Sequence, residues 1–195
     1  KVLFTGTPCQ IAGLKHLLRK EYNTLTTIEV ICHGVPSPRI WHDYLEYHKQ
    51  QMQSNEITDI SFRDKSNGWH KYNFKICVAK KGGTENTTEQ MCRVVPYDKD
   101  LFMNGFLKDI YLRPSCYACA AKEGRSGADI SIADYWGVEH IHQQLDDDKG
   151  IGLVIVNTPK GITRLTAIAS QIDYTVTDYA QAVAYNPSIS RSVCE

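Results

Sequence analysis

The sequence predicts an α/β fold in which a mixed β-sheet is flanked by helices. The first observation is the order of elements in residues 1–32, where a short apolar strand, an amphipathic helix and a strand rich in Ile, Val and Thr follow one another. Units of this kind almost always leave their two strands parallel. The second observation is a strand-rich segment, residues 57–95, which predicts an antiparallel hairpin insertion.

Each predicted element has its own local signal. The first helix places apolar residues at three- and four-residue spacing and has Pro8 in its first turn, where proline is tolerated. Ser37 is a candidate cap for the next helix. The remaining predictions are strands over 25–32, 57–63, 72–79, 87–95, 128–135 and 152–157, helices over 40–48, 98–107 and 162–172, a hairpin around Lys81-Gly82-Gly83 and a turn-rich stretch over 113–127.

Length and charge exclude several classes of protein. The 195 residues suit one domain spanning residues 1–195. Equal numbers of basic and acidic residues, 22 of each, argue against a nucleic-acid-binding protein. No apolar run is long enough to span a bilayer and no signal peptide is visible, so we expect a cytoplasmic protein. The chain opens on a strand without Met, and we expect it to be the carboxy-terminal part of a longer protein.

Four of the seven cysteines form a candidate metal site. Cys9 follows the first strand and Cys32 ends the second, so parallel strands would bring both to the carboxyl edge of the sheet, where ligands bind in open α/β folds. Cys116 and Cys119 form the one CxxC motif, in a loop flanked by Pro and Gly. Four thiolates suit either zinc or a 4Fe-4S cluster. We expect the other three cysteines, Cys77, Cys92 and Cys194, to be small structural residues rather than disulfide partners.

Further residues are candidates for binding a cofactor. Thr5, Gly6 and Thr7 lead into a helix amino terminus, which favours negative charge and could hold a flavin phosphate. His33, next to Cys32, is a candidate hydrogen-bond donor near the metal site. Four basic residues in the surrounding loops are candidates for holding phosphates or carboxylates: Arg63, Lys65, Lys122 and Arg125. Four aromatic residues could pack on a flavin ring: Trp69, Tyr117, Tyr135 and Trp136.

An ordered set of motifs resembles one known family. The motifs are LFTGTPCQIAGL at 3–14, ICHGVPS at 31–37, SFRDK at 61–65 with Gly68-Trp69, LRPSCYAC at 112–119 with Lys122, DISIADYWG at 129–137, and Lys149-Gly150 followed by Leu153-Val154 and Asn157-Thr158. Together they are similar to the carboxy-terminal domain of the coenzyme F-420 hydrogenase/dehydrogenase beta subunit, in its bacterial branch. The similarity covers about residues 1–161.

The resemblance implies an oxidoreductase module that uses a flavin, FAD, and a 4Fe-4S cluster. Carried over by position, Cys9, Cys32, Cys116 and Cys119 would ligate the cluster, and electrons would pass between it, the flavin and a hydride-carrying cofactor. The family implies an amino-terminal ferredoxin-like segment and a region that helps to bind flavin, both preceding Lys1. A ferredoxin-like domain or electron-transfer protein is the implied partner, and bacterial members are associated with polysaccharide biosynthesis. No pattern specifies an oligomeric state.

Two alternatives from other classes stay open on the residues alone. The same four cysteines could close a structural zinc site in a scaffold or interaction module. Cys9, at a helix amino terminus, could instead be the nucleophile of an enzyme, because that position favours the thiolate. Iron and acid-labile sulfide content distinguishes a cluster from zinc, and replacement of Cys116 would spare a nucleophile enzyme but destroy a cluster.

Overall fold

The computed structural model describes residues 1–81 and 88–193 and divides into two compact units. The first unit combines residues 1–34 with the chain from residue 114 onward, and the second comprises residues 35–113. In chain order the elements are β1 (Val2–Gly6), α1 (Pro8–Leu18), β2 (Leu25–Val30), α2 (Pro38–Gln51), β3 (Ile57–Asp64), β4 (Asn73–Lys81), β5 (Thr88–Pro96), α3 (Leu101–Leu107), α4 (Pro114–Tyr117), β6 (Ile130–Asp134), α5 (Val138–Ile141), β7 (Gly152–Val156), α6 (Pro159–Thr166) and α7 (Tyr179–Ala184).

The first unit is built on a mixed four-stranded sheet with the order β1-β2-β6-β7. Strand β2 pairs in parallel with both β1 and β6, and β7 pairs antiparallel with β6. The predicted α/β class, the parallel strand–helix–strand unit and the mixed sheet are therefore confirmed. The main apolar cluster of this unit has five buried members among the described residues: Tyr135, Val138, Leu153, Ala182 and Ile189.

A buried polar network around Asp129 adds to the apolar contacts of the first unit. One carboxylate oxygen of Asp129, immediately before β6, accepts hydrogen bonds from the backbone N–H and the hydroxyl of Thr27 on β2, at 2.9 and 3.1 Å, and the Lys160 ammonium lies 3.2 Å from it. The other oxygen accepts from the Thr158 hydroxyl at 2.7 Å. Burial would raise the pKa of Asp129, but these hydrogen bonds outweigh burial and hold the pKa below its ordinary value. Asp129 thus ties β6 to β2 and to the start of α6.

The second unit contains an antiparallel sheet of order β3-β4-β5, as the hairpin insertion predicts. Strands β4 and β5 pair from Asn73↔Pro96 to Lys81↔Thr88. Gly82 and Gly83 of the predicted hairpin turn lie outside the described residues. Aromatic and aliphatic side chains from the sheet, α2 and α3 form the core of this unit: Tyr44, Tyr72, Phe74, Ile76, Phe102 and Met103.

The expectation that Cys77 and Cys92 are unpaired is wrong. They face each other in register on β4 and β5 and form a disulfide. Cys77 is completely buried. The physical reason is the antiparallel register, which brings two residues 15 positions apart directly opposite each other on one face of the sheet.

Boundaries differ from the predictions at several elements. The helix predicted over 162–172 begins earlier, at Pro159, and ends at Thr166, after which a short 3-10 helix spans Ala169–Gln171. The Thr158 side chain caps the amino terminus of α6 by accepting a hydrogen bond from the Gly161 N–H at 3.1 Å. Ser37 does occupy the cap position of α2, but its side chain makes no capping hydrogen bond.

Replacing Gly161 with Ala should destabilise the protein by about 1–3 kcal/mol, the usual cost of forced overpacking. A Cβ at this position would lie 2.3 Å from the backbone oxygen of Asp129, so β6 or α6 would have to move. Gly13→Ala is the matched control, because a Cβ there meets nothing within 4 Å. In the α1 helix that change should stabilise by up to about 1 kcal/mol. Urea unfolding measures both, and equal effects would contradict the packing at Gly161.

Replacing Asp129 with Asn should cost about 2–3 kcal/mol at pH 7, since hydrogen bonds to a charged group are lost. Because the pKa of Asp129 is depressed in the folded protein, its contribution is complete above the unfolded pKa of about 3.9 and is lost as pH falls below it. The stability gap between wild type and D129N should therefore narrow between about pH 5 and pH 3. Exposed Asp43→Asn should stay within about 0.5 kcal/mol at every pH. A gap for D129N that is constant with pH would contradict the assignment.

Candidate functional site: four thiols around Cys32

Two of the predicted cysteines lie at the carboxyl edge of the parallel strands. Cys9 is the second residue of α1, which starts just after β1, and its side chain is exposed. Cys32 follows the end of β2 by two residues and is partly buried. Parallel pairing of β1 and β2, with Gly6 opposite Glu29, makes both segments leave the sheet in the same direction. The sheet topology therefore places Cys9 and Cys32 at the same edge of the sheet, as the sequence predicts.

The CxxC motif lies in the same unit. Cys116 belongs to the short helix α4, which begins at Pro114, and Cys119 follows that helix by two residues. Both side chains are partly buried and neither is in a disulfide. The backbone N–H of Cys119 donates to the Ser192 hydroxyl at 2.9 Å, which fixes the loop to the carboxy-terminal part of the unit.

The Cys32 thiol interacts electrostatically with the other three thiols. Burial raises the pKa of Cys32, and the neighbouring Lys122 ammonium opposes that effect. Cys9, Cys116 and Cys119 each raise the pKa further, because a negative charge on any of them disfavours a second thiolate nearby. The topology and the loop after residue 113 therefore bring all four predicted cysteines into one region.

Lys122 occupies the interior of this region. Only 4% of its surface is exposed, and its ammonium donates to the backbone oxygens of Cys32 and Ser188, the second at 2.6 Å. Burial lowers the pKa of Lys122, while Cys32, Cys119 and Cys116 act in the opposite direction. A lysine that the sequence suggested for phosphate binding is therefore already engaged by protein carbonyls beside the thiols.

The α1 amino terminus has fewer available donors than the sequence suggested. The Thr7 N–H donates to the Gln10 side chain at 2.8 Å, Pro8 has no N–H, and the Gln10 N–H donates back to the Thr7 carbonyl at 2.9 Å. Gly6 approaches the same Gln10 side chain, 2.9 Å from where a Cβ would lie. The Thr7 hydroxyl lies 3.2 Å from the Cys9 sulfur. The turn from Thr5, near the end of β1, to Thr7 therefore leads directly into the first turn of α1, which carries Cys9.

The other predicted residues fall in different places. His33 is partly buried and directly follows Cys32. Arg125 is mostly exposed and bonds within its own loop, to the Lys122 carbonyl and to Glu123. Arg63 and Lys65 belong to the second unit, where the Arg63 guanidinium lies over the rings of Trp69 and Tyr72 at 5.4 and 4.8 Å. The nearly complete burial of Trp69 and Tyr135 shows that both rings serve the cores of their units.

Sequence reasoning missed several contacts of the site. Ser188 and Ser192, near the carboxy-terminal end, bond to Lys122 and to the Cys119 backbone, yet no motif surrounds them. It also assigned no role to Glu29 on β2, which is 2% exposed. One Glu29 oxygen accepts from Ser131 at 2.6 Å, and the other has no hydrogen-bond partner in the described residues. A buried acidic residue in a strand is a signal that could have found it.

A cavity of about 160 Å³ lies in the second unit, apart from the predicted site residues. Its polar walls are mutually bonded: Tyr44 donates to Asp100 at 2.6 Å, and Arg93 pairs with the same carboxylate at 3.1 Å. His48, another wall, is buried, and burial together with Arg93 lowers its pKa. Asp100 also caps α3 by accepting from two backbone N–H groups. These contacts hold α2, β5 and α3 together.

The donor chemistry of the thiol region fits a thiolate-bound group. Four cysteines outside the disulfide supply soft ligands suited to zinc or to an iron–sulfur cluster. A single zinc ion requires sulfurs about 3.8 Å apart, as Zn–S bonds of about 2.3 Å in a tetrahedron dictate. In a 4Fe-4S cluster each thiolate binds a different iron, which allows wider spacing. Within residues 1–81 and 88–193, no three His, Cys, Asp or Glu side chains are grouped closely enough to hold one metal ion.

The fold and site define a mixed α/β protein whose four reduced cysteines gather beside a parallel sheet. The family model for the C terminus of the beta subunit of Coenzyme F420 hydrogenase/dehydrogenase matches residues 1–182, and the chain belongs to this family. Membership fits an oxidoreductase-like role in electron transfer. A search of curated proteins gave no match. None of the helices in the described ranges combines the length and hydropathy needed to cross a membrane.

Alkylation by iodoacetamide at pH 8 should modify Cys9 clearly faster than Cys32 in the metal-free protein. Cys9 is exposed, whereas burial raises the pKa of Cys32 and lowers its reactive thiolate fraction, by tenfold for each pKa unit. Peptide mass spectrometry after timed quenching measures both rates. In urea the two cysteines should react at similar rates. Equal rates in the folded protein would contradict the described environment of Cys32.

Proposed function

We propose that the chain is the electron-transfer module of an iron–sulfur flavoprotein. Cys9, Cys32, Cys116 and Cys119 hold a 4Fe-4S cluster that exchanges electrons with FAD, and the flavin in turn exchanges electrons with a hydride-carrying redox partner. The observation that carries the proposal is the placement of these four cysteines in one unit, with Cys9 and Cys32 following two paired parallel strands. Family membership supports the redox chemistry.

The residues around the thiols suit a buried anionic cluster. Such a cluster supplies one-electron transfer at a potential set by charge, hydrogen bonds and solvent exposure. Lys122 brings a positive charge into the region, and Thr7 places a hydroxyl next to the Cys9 sulfur. The α1 helix starts one residue before Cys9, so its dipole also favours negative charge there. The positive charge of Lys122 and the dipole of α1 both favour negative charge in this region.

The proposed flavin and protein partners follow from the family and from the surface that the site offers. Cys9 is exposed, so the cluster edge would be accessible to a flavin or to a ferredoxin-like domain. In this unit the exposed Arg125 and the partly buried His33 remain candidates for contact with FAD. The proposed location is the cytoplasm, where free thiols persist, although the Cys77–Cys92 disulfide is a feature more typical of oxidising compartments.

Anaerobic reconstitution with iron and sulfide tests the proposal. The wild-type chain should bind about four iron and four sulfide, and Cys119→Ser should lose most of both, since one of four ligands is removed. Cys194→Ser is the matched control, because this cysteine is outside the proposed set, and it should bind iron like wild type. Metal and sulfide analysis, with absorption near 400 nm, gives the readout.

Other outcomes would redirect the assignment. About one zinc per chain without sulfide would establish a structural metal module in place of a cluster. Absence of both metals from a folded wild-type chain would contradict a four-thiolate site. Equal iron content in Cys119→Ser and wild type would remove Cys119 from the ligand set.

A further inference from the structure

Lys122 is unusual because a lysine side chain with 4% exposure rarely lacks a carboxylate partner. Its ammonium donates to two neutral acceptors, the carbonyl oxygens of Cys32 and Ser188, and among the described residues it forms no salt bridge. The two carbonyls satisfy donors but do not neutralise the charge. A buried cation is costly unless an opposite charge compensates it.

The charges that can compensate Lys122 are the thiolates and one buried acid. Lys122 interacts electrostatically with Cys32, Cys119 and Cys116, in that order, and then with Glu29. Glu29 is 2% exposed and has one carboxylate oxygen without a hydrogen-bond partner in the described residues. The buried ammonium and the nearby thiolates, which have opposite charges, therefore stabilise each other.

We propose that Lys122 is the positive charge that balances the thiolates of Cys32, Cys116 and Cys119 and raises the reduction potential of the cluster that the four cysteines hold. This inference rests on the proposed function. When a one-electron reductant such as dithionite delivers its electron, the site gains one negative charge, and no bond is made or broken in the protein. A fixed ammonium nearby stabilises the more negative state, so reduction becomes easier. Lys122 is a positioning and charge-balancing residue, and it need not touch the flavin.

The position of Lys122 explains why the exposed Arg125 is a poor substitute for it. Arg125 lies three residues later but is 59% exposed and faces Glu123 at 3.4 Å, so solvent and its own partner screen it. Lys122 reaches the Cys32 carbonyl directly, and that carbonyl belongs to a proposed ligand residue. Its charge is thereby fixed relative to the thiolates.

The test compares reduction potentials in four anaerobically reconstituted proteins: wild type, Lys122→Met, Lys122→Arg and Lys149→Met. Dithionite titration followed by optical and electron paramagnetic resonance spectra gives each midpoint. At the wild-type midpoint potential, the ratio of oxidised to reduced cluster should be at least about tenfold higher in K122M than in wild type. For a one-electron couple this corresponds to a midpoint potential about 59 mV lower. K122R should stay within about threefold of wild type because it keeps the charge. Lys149, 84% exposed, controls for loss of a positive charge at the surface and should leave the midpoint unchanged.

Iron content and circular dichroism of each variant separate the possible results. A K122M protein with full iron and the wild-type potential overturns the inference while leaving the proposed function intact. Wild type that binds no iron overturns the proposed function and this inference together. If K122M does not load, Lys122→Gln keeps a hydrogen-bond donor without the charge. Failure of the Met and Gln variants with normal loading of K122R supports charge compensation, and failure of all three assigns Lys122 to tethering alone and overturns the inference.

Discussion

The parallel pairing of β2 with β1 and β6 is the constraint on which the thiol region depends. Strands that run the same way release their following segments at one edge of the sheet, and Cys9 and Cys32 lie on two such segments. Asp129 holds that arrangement because its carboxylate accepts from both the backbone and the side chain of Thr27. Because these hydrogen bonds join residues about a hundred positions apart in the sequence, the polar network adds specificity to the strand order that apolar packing alone would not supply.

The interior of this unit is charged as well as polar. Glu29 and Lys122 are both buried, and neither has a partner within salt-bridge distance in the described residues. Isolated buried charges are destabilising unless their surroundings compensate. Hydrogen bonds satisfy Asp129 fully, but Lys122 and Glu29 are compensated only through longer-range interactions that include the thiols. Asp129 therefore stabilises the fold through its own hydrogen bonds, whereas the burial of Lys122 and Glu29 is explained by the neighbouring thiols.

Much of this organisation could be predicted from local sequence patterns, and the remainder required register and tertiary contact. The periodicity of residues 1–32 indicated their parallel unit, and the CxxC motif identified half of the thiol set. Cys77 and Cys92 could not be paired in advance, because their contact depends on the alignment of β4 with β5. The sequence also could not tell whether Lys122 is exposed and able to bind a phosphate or buried and bonded to the carbonyl of Ser188, as it is in the structure. The end of α6 at Thr166 could not be predicted either, because apolar residues continue at helical spacing up to residue 172.

Among the described residues, one unit thus contains a disulfide and the other contains four cysteines that form none. The disulfide forms where β-sheet register holds two sulfurs face to face, with Cys77 completely buried from reductants. Thiol oxidation requires a thiolate and a close partner. At Cys32 burial raises the pKa, and every neighbouring thiolate raises it again, so formation of two thiolates at once is disfavoured in the metal-free protein. The Lys122 ammonium acts in the opposite direction and lowers the pKa of Cys32, so it is the one charge named here that favours a thiolate at that position.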